Sequence, residues 1–150
     1  MRFCTVHTHS VLCDGKNPLE EMARAAFDAG AVSFGASGHS YTPVPWDQGN
    51  TLPEASEAYR AEVLRLREIY QGRMEVLLGI EQDSQSAQPV PDWAEYWIGS
   101  VHNLHDSRTG SYYCVDWDAE HLESCLREMF GGDALAMARK YYTDVAAMAE

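Results

Sequence analysis

No apolar run in these 150 residues approaches the roughly 18 that a membrane-spanning helix requires, so a membrane is not an expected partner. Met1-Arg2-Phe3 leaves no room for an apolar leader ahead of His7, and a cleaved secretory signal is not expected either. Basic residues are few: 11 Lys and Arg, scattered, against 23 Asp and Glu, for a net charge of −12. Such a chain repels a phosphate backbone, which argues against nucleic acid as a partner. The four cysteines (Cys4, Cys13, Cys114 and Cys125) form neither a C-x-x-C pair nor a dense, even pattern. They read as reduced thiols in a cytoplasmic protein. Cys13 lies close enough to a histidine pair to be redox-sensitive but is not expected to be a ligand. No internal repeat, low-complexity stretch or linker marks a domain boundary, and the length suits one domain.

What is present is an ordinary globular composition, 45% hydrophobic and 23% charged. Residues 2–7 have β-type character and read as a strand leading into His7 and His9. Residues 17–30 read as a helix with Asn17 as N-cap, Pro18 at its first position, Glu20 at N3 and Gly30 just past its end. A buried strand is expected over 31–37. A loop follows over 38–52, with Pro43, Pro45, Gly38, Gly49 and Trp46. A helix is expected from about Pro53 to Gln71, carrying Tyr59, Val63, Leu66 and Tyr70 on one stripe and ended by Gly72. Residues 74–81 and 96–102 read as fully buried strands, and 111–116 as a further short one. From Asp118 the pattern is helical, interrupted at Gly131-Gly132 and continuing to Glu150. Short apolar strands alternating with amphipathic helices indicate a parallel α/β sheet or part of a barrel.

The chemistry-bearing residues fall at the expected strand ends. The first strand ends at His7-Thr8-His9, the second at Gly38-His39-Ser40, the third at Ile80-Glu81-Gln82-Asp83 and the fourth at Val101-His102-Asn103. In parallel α/β folds that edge is where sites are built. Residues i and i+2 of a strand share a face, so His7 and His9 can reach one ion. Two histidines alone can share a polar face by chance, and a lone histidine such as His39 is usually structural. Glu81 is more telling. A carboxylate directly after Val-Leu-Leu-Gly-Ile is costly to bury unless something such as a metal ion compensates it. The four placements together point to a metal site of imidazole and carboxylate ligands. His105, in a polar run, reads as a solvated loop residue, and His121, at a helix start, as surface. Trp93, Tyr96, Trp97, Tyr112 and Tyr113 read as core or rim, and the pairs Glu20/Glu21 and Glu54/Glu57 as solvated helix faces.

The stretches "HTHSVLCDG", "GHS", "GIEQD" and "GSVHNL" resemble the successive motifs of the PHP (polymerase and histidinol phosphatase) superfamily, and specifically its histidinol-phosphatase branch. The segment "MFGGDALAMARKYYTDVAAMAE" is similar to that branch as well. The resemblance runs over essentially the whole chain and implies an α/β fold, the N-terminal portion of a distorted (β/α)7 TIM-like PHP barrel. It implies hydrolysis of L-histidinol phosphate to L-histidinol and phosphate, a late step of histidine biosynthesis. It also implies a cluster of up to three divalent metal ions, with zinc, manganese or iron all compatible with such ligands. Carried over by motif, His7 and His9 hold the first metal, Glu81 bridges the first and second, His102 binds the second, and Asp14 and His39 bind the third. Glu81, His9 and His102 are the candidate catalytic residues. In the implied chemistry a hydroxide shared by two cations attacks phosphorus in line.

Length is where the sequence departs from the family. A complete barrel of this type needs roughly 250 residues, and the family's later G-H-x-D and D-x-H motifs have no match here, since the last histidine is His121. The chain is therefore expected to be an incomplete PHP domain, with each metal short of ligands. Three readings follow: the front part of a histidinol-phosphatase, a PHP phosphoesterase acting on a nucleotide or sugar phosphate, or a metal-binding half-barrel without catalysis. The residues that grip the substrate and the oligomeric state are not legible.

Overall fold

Four short strands, expected from the alternation of apolar strands with amphipathic helices, line up in sequence order in one sheet: β1 (Phe3–Thr5), β2 (Ala31–Ala36), β3 (Glu75–Asp83) and β4 (Tyr96–Ser100). The structure, a computed structural model, describes residues 2–47, 51–52 and 56–149. β1 pairs with β2 and β2 with β3 in parallel. β4 runs the same way along β3, because Glu95 N–H donates to Leu78 O (2.8 Å) and Ser84 N–H to Ser100 O (2.9 Å), ascending on both strands. The sheet curls as part of an α/β barrel. Among the described residues no helix is long and apolar enough to cross a membrane.

The helices between these strands, α1 (Leu19–Asp28) and α2 (Glu57–Tyr70), form because their apolar residues recur at helical spacing. Tyr59, Val63, Leu66 and Tyr70 are all buried, as the stripe predicted, and pack with Phe34, Val76, Leu78 and Ile80. Burying each such side chain contributes about 1.5–3 kcal/mol. The cap of α1 differs from the expected one. Pro18, at φ −61° and ψ 150°, is the N-cap, and its carbonyl accepts from Glu21 and Met22. The Asn17 amide instead donates to Glu21 Oε2 (2.9 Å), which leaves it outside the helix. Gly30 follows the C-cap Ala29 at φ 92°, as expected. The expected start of α2 at Pro53, like Glu54 and Gly49, lies outside the described residues, as does the end of the last helix at Glu150.

β3 is buried along nearly all its length, whereas β4 is not, contrary to expectation. It is an edge strand of the sheet among the described residues, and its residues alternate between half-buried and exposed, with Trp97 44% exposed.

The chain divides into two compact units: Met1–Gln82 with Ser86–Ile98, and Gly99–Glu150 with Asp83–Gln85. The second contains an antiparallel hairpin, β5 (Asn103–Asp106) and β6 (Ser111–Cys114), then α3 (Ala119–Phe130) and α4 (Ala134–Ala147). β5 replaces the solvated loop expected around His105. The polar run is a strand followed by a turn, and Asp106 organises that turn by accepting from Arg108 N (2.9 Å) and Thr109 Oγ1 (3.1 Å). Leu104 is fully buried with Val101 and Cys125. The α3–α4 break falls at Gly131-Gly132, as expected, and the side chains of Asp118 and Asp133 cap the two helices.

The four cysteines are free thiols, Cys4 exposed and Cys125 buried. Burial pushes the Cys125 thiol up to about 11. In the native chain at pH 8, iodoacetamide is expected to alkylate Cys4 readily and Cys125 only after denaturation. Equal labelling of the two, read by mass spectrometry, contradicts the packing of α3.

Candidate metal centre

The parallel register continues past the ends of the strands and carries the site residues into place. Glu81 N–H donates to Gly38 O (3.0 Å) and Ser40 N–H to Glu81 O (2.8 Å), so His39 and Glu81 stand side by side as a parallel bridge. Ser37 N–H donates to Thr8 O (3.0 Å), and Thr8 N–H to Ser37 Oγ (2.9 Å). Thr8 sits between His7 and His9, so this pair of bonds fixes both against β2. Residues 10–15 then turn tightly, with Cys13 and Gly15 N–H both donating to Ser10 O (2.9 Å each). A side chain at position 15 would overlap the backbone of His9 and Ser10. The Asp-Gly pair of the first motif thus lets Asp14 curl back onto His9.

Three imidazole nitrogens converge on one oxygen of the Glu81 carboxylate, which is only 3% exposed. His7 Nε2 and His9 Nε2 each lie 3.0 Å from Glu81 Oε2, and His39 Nδ1 lies 3.3 Å from it. On the other side, His9 Nδ1 is 2.7 Å from Asp14 Oδ1, and His39 Nε2 is 3.4 Å from Asp14 Oδ2. The ligand atoms of His7, His9 and Glu81 lie within 4.8 Å of one another, as do those of His9, Asp14 and His39. Two overlapping three-ligand groups therefore share His9.

The protonation of His9 shows what this geometry demands. A neutral imidazole carries one N–H, yet each of its nitrogens faces a carboxylate. Its pKa is pushed up to about 10, first by the hydrogen bond with Cys13 (Sγ to Nδ1, 3.9 Å), then by Glu81 and Asp14, with burial opposing. Burial alone would raise the Cys13 thiol, but the His9 hydrogen bond and neighbouring backbone donors outweigh it and hold the thiol below its usual range. Asp14 is likewise held low: burial opposes, and the His9 hydrogen bond and the charges of His39 and His9 prevail. Around Glu81 the site gathers three imidazoles and two carboxylates, a donor set that fits a divalent cation.

His102 belongs to the second unit. Its Nδ1 lies 2.7 Å from the buried Asp83 carboxylate, and its Nε2 lies 3.8 Å from Asp116. A carboxylate oxygen facing Nδ1 favours the tautomer that donates there and leaves the Nε2 lone pair to a metal, the arrangement that orients a ligating histidine. His105 stacks on Tyr112 (ring centroids 4.7 Å apart), and the exposed His121 lies flat against Trp117 (4.9 Å). Of the partners found here, sequence reasoning singled out neither Asp83 nor Asp116. Asp83 stands two residues beyond Glu81 in β3, so the alternation that paired His7 with His9 would have selected it. Asp116 carried no comparable signal.

No family model matches the chain. A curated protein of Deinococcus radiodurans named "Probable histidinol-phosphatase" is 33% identical over 115 residues, which is 67% of this chain and 42% of that protein. A crystal structure from Listeria monocytogenes, provisionally described as the histidinol phosphatase HisK, superposes with a TM-score of 0.60 over 81% of this chain and 51% of that one, at 14% identity. The second likeness is one of fold. The chain spans about half the length of these relatives.

Because the folded-state pKa of His9 lies above its unfolded value of 6.5, its contribution to stability is fully present below pH 6.5 and lost as pH rises towards about 10. Urea unfolding of the chelator-treated chain is expected to show stability falling across that window, with a shallower fall in His9→Gln. Identical pH profiles for the two would contradict the ion pairing.

Proposed function

We propose that this chain, related in sequence and fold to the histidinol-phosphatases, is the front part of a PHP-type barrel whose metal centre hydrolyses a phosphate monoester. The kinship supports L-histidinol phosphate as the substrate, and in this reading the pathway is histidine biosynthesis and the compartment the cytoplasm. The observation that carries the reading is the convergence of His7, His9 and His39 on one oxygen of buried Glu81.

In this reading His7 and His9 would hold a first divalent ion, His102 a second, Glu81 would be shared between those two, and Asp14 and His39 would hold a third. Bound ions of this kind supply positive charge to phosphoryl oxygens and acidify water near neutral pH. The chain's own residues do the rest. Glu81 supplies a buried carboxylate that two neighbouring cations would share. His9 is shared by two ligand groups and is oriented by Asp14. His102 is held in one tautomer by Asp83, so a single nitrogen is presented outward. The acidic chain, with net charge −12, suits a substrate bearing an amine beside its phosphate.

Two measurements test the proposal in the polypeptide that carries these residues. With Mn2+ present, phosphate release from L-histidinol phosphate is expected to exceed that from glycerol phosphate at least tenfold. Equal rates sink the histidinol assignment and favour a PHP phosphoesterase of another substrate. Glu81→Gln is expected to lower the rate by at least about a hundredfold, more than glutamine at His7, His9, His39 or His102, since it weakens two metals at once. A milder loss than that of any one histidine contradicts the bridge.

A further inference from the structure

Two tyrosines grip the backbone beside the ligands. Tyr96 leaves β4 and crosses the sheet. A Cβ at Gly79 of β3 would overlap its ring, and a Cβ at Gly35 of β2 would meet its hydroxyl end. The two glycines thus leave a path for the ring across both middle strands. At the far end the Tyr96 hydroxyl lies 2.6 Å from Val6 O and 3.1 Å from Ala36 O, and donates to the first or shares its proton between them. Tyr59 reaches in from α2 and is 2% exposed. Its hydroxyl donates to Gly79 O (2.8 Å) and accepts from Gly38 N–H (3.2 Å).

The gripped positions are not scattered. Val6 precedes His7, Gly38 precedes His39, and Gly79 stands two residues before Glu81. The ends of β1, β2 and β3 are therefore each tied by a phenol within two residues of His7, His39 or Glu81. Burial raises both phenols above their ordinary range, so each stays protonated and able to donate at any working pH. If the rings served only to fill the core, phenylalanine would fill it as well. The glycine path and the four backbone partners show that the hydroxyls, not only the rings, are accommodated.

We propose that Tyr59 and Tyr96 are positioning residues of the metal centre, which fix the backbones of β1, β2 and β3 so that His7, His39 and Glu81 keep their places in the metal-binding groups. The inference rests on the metal reading above. It separates two roles for the same hydroxyls: a structural role changes stability alone, whereas a positioning role changes how the site binds.

Titration of the chain with Co2+, followed by its visible d–d absorption, tests this alongside urea unfolding. Tyr96→Phe and Tyr59→Phe are each expected to weaken Co2+ binding about tenfold or more and to change the shape of the absorption band. Tyr70→Phe, on the same buried stripe of α2, leaves both unchanged. Should a phenylalanine variant fail to fold, Gly35→Ala keeps both hydroxyls while displacing the end of Tyr96, and is expected to produce the same weakening. Affinity within twofold of the unsubstituted chain and an unaltered band in every folded variant, whatever the change in urea midpoint, overturn the inference. No Co2+ band from the unsubstituted chain overturns the metal reading, and this inference with it.

Discussion

A carboxylate that ends an aliphatic strand is costly to bury without compensating charge, and the chain buries Glu81 behind Val-Leu-Leu-Gly-Ile. The surrounding structure answers that cost. Three imidazole nitrogens reach one of its oxygens, and Asp14 turns back to balance the histidines from the far side. Remove the demand for positive charge at this point and the placements of His7, His9 and His39 lose their common cause. A buried ion pair is weak evidence of stability for its own sake. Its presence at the edge where parallel sheets build their sites favours a functional origin.

Parallel register makes the convergence possible. Neighbouring strands run the same way, so their C-terminal ends arrive together, and the backbone bonds of Ser37 with Thr8 and of Glu81 with Gly38 extend that alignment to the ligands themselves. Helix α2 packs against the sheet through the Tyr59–Val63–Leu66–Tyr70 stripe. Tyr59 belongs both to that stripe and to the hydrogen bonds beside the ligands, which links core packing to site geometry in a single side chain.

Much of this was legible in the sequence where a periodic rule applied. The α2 stripe, the Gly30 and Gly131-Gly132 stops and the meeting of His7, His9, His39 and Glu81 at three strand ends all follow from spacing. Legibility failed where the deciding partner was distant in sequence. The burial of β4 depends on how many strands flank it, which its own residues do not encode. The hairpin around His105 depends on pairing with Ser111–Cys114, a partner that the polar run itself does not signal. The cap of α1 fell to Pro18 because Asn17 found Glu21 instead. The sequence assigns Tyr96 to core or rim but gives no sign of its hydroxyl's role, because its partners, Val6 and Ala36, lie 90 and 60 residues away along the chain.

The central claim is that these strand ends hold a divalent cation through nitrogen and oxygen donors around Glu81. Zinc K-edge X-ray absorption of the chain loaded with Zn2+ tests it most directly. The account predicts stoichiometric zinc with a first shell of imidazole nitrogen and carboxylate oxygen at about 2.0–2.2 Å. Failure to retain zinc, or a shell dominated by sulfur at about 2.3 Å, would contradict it.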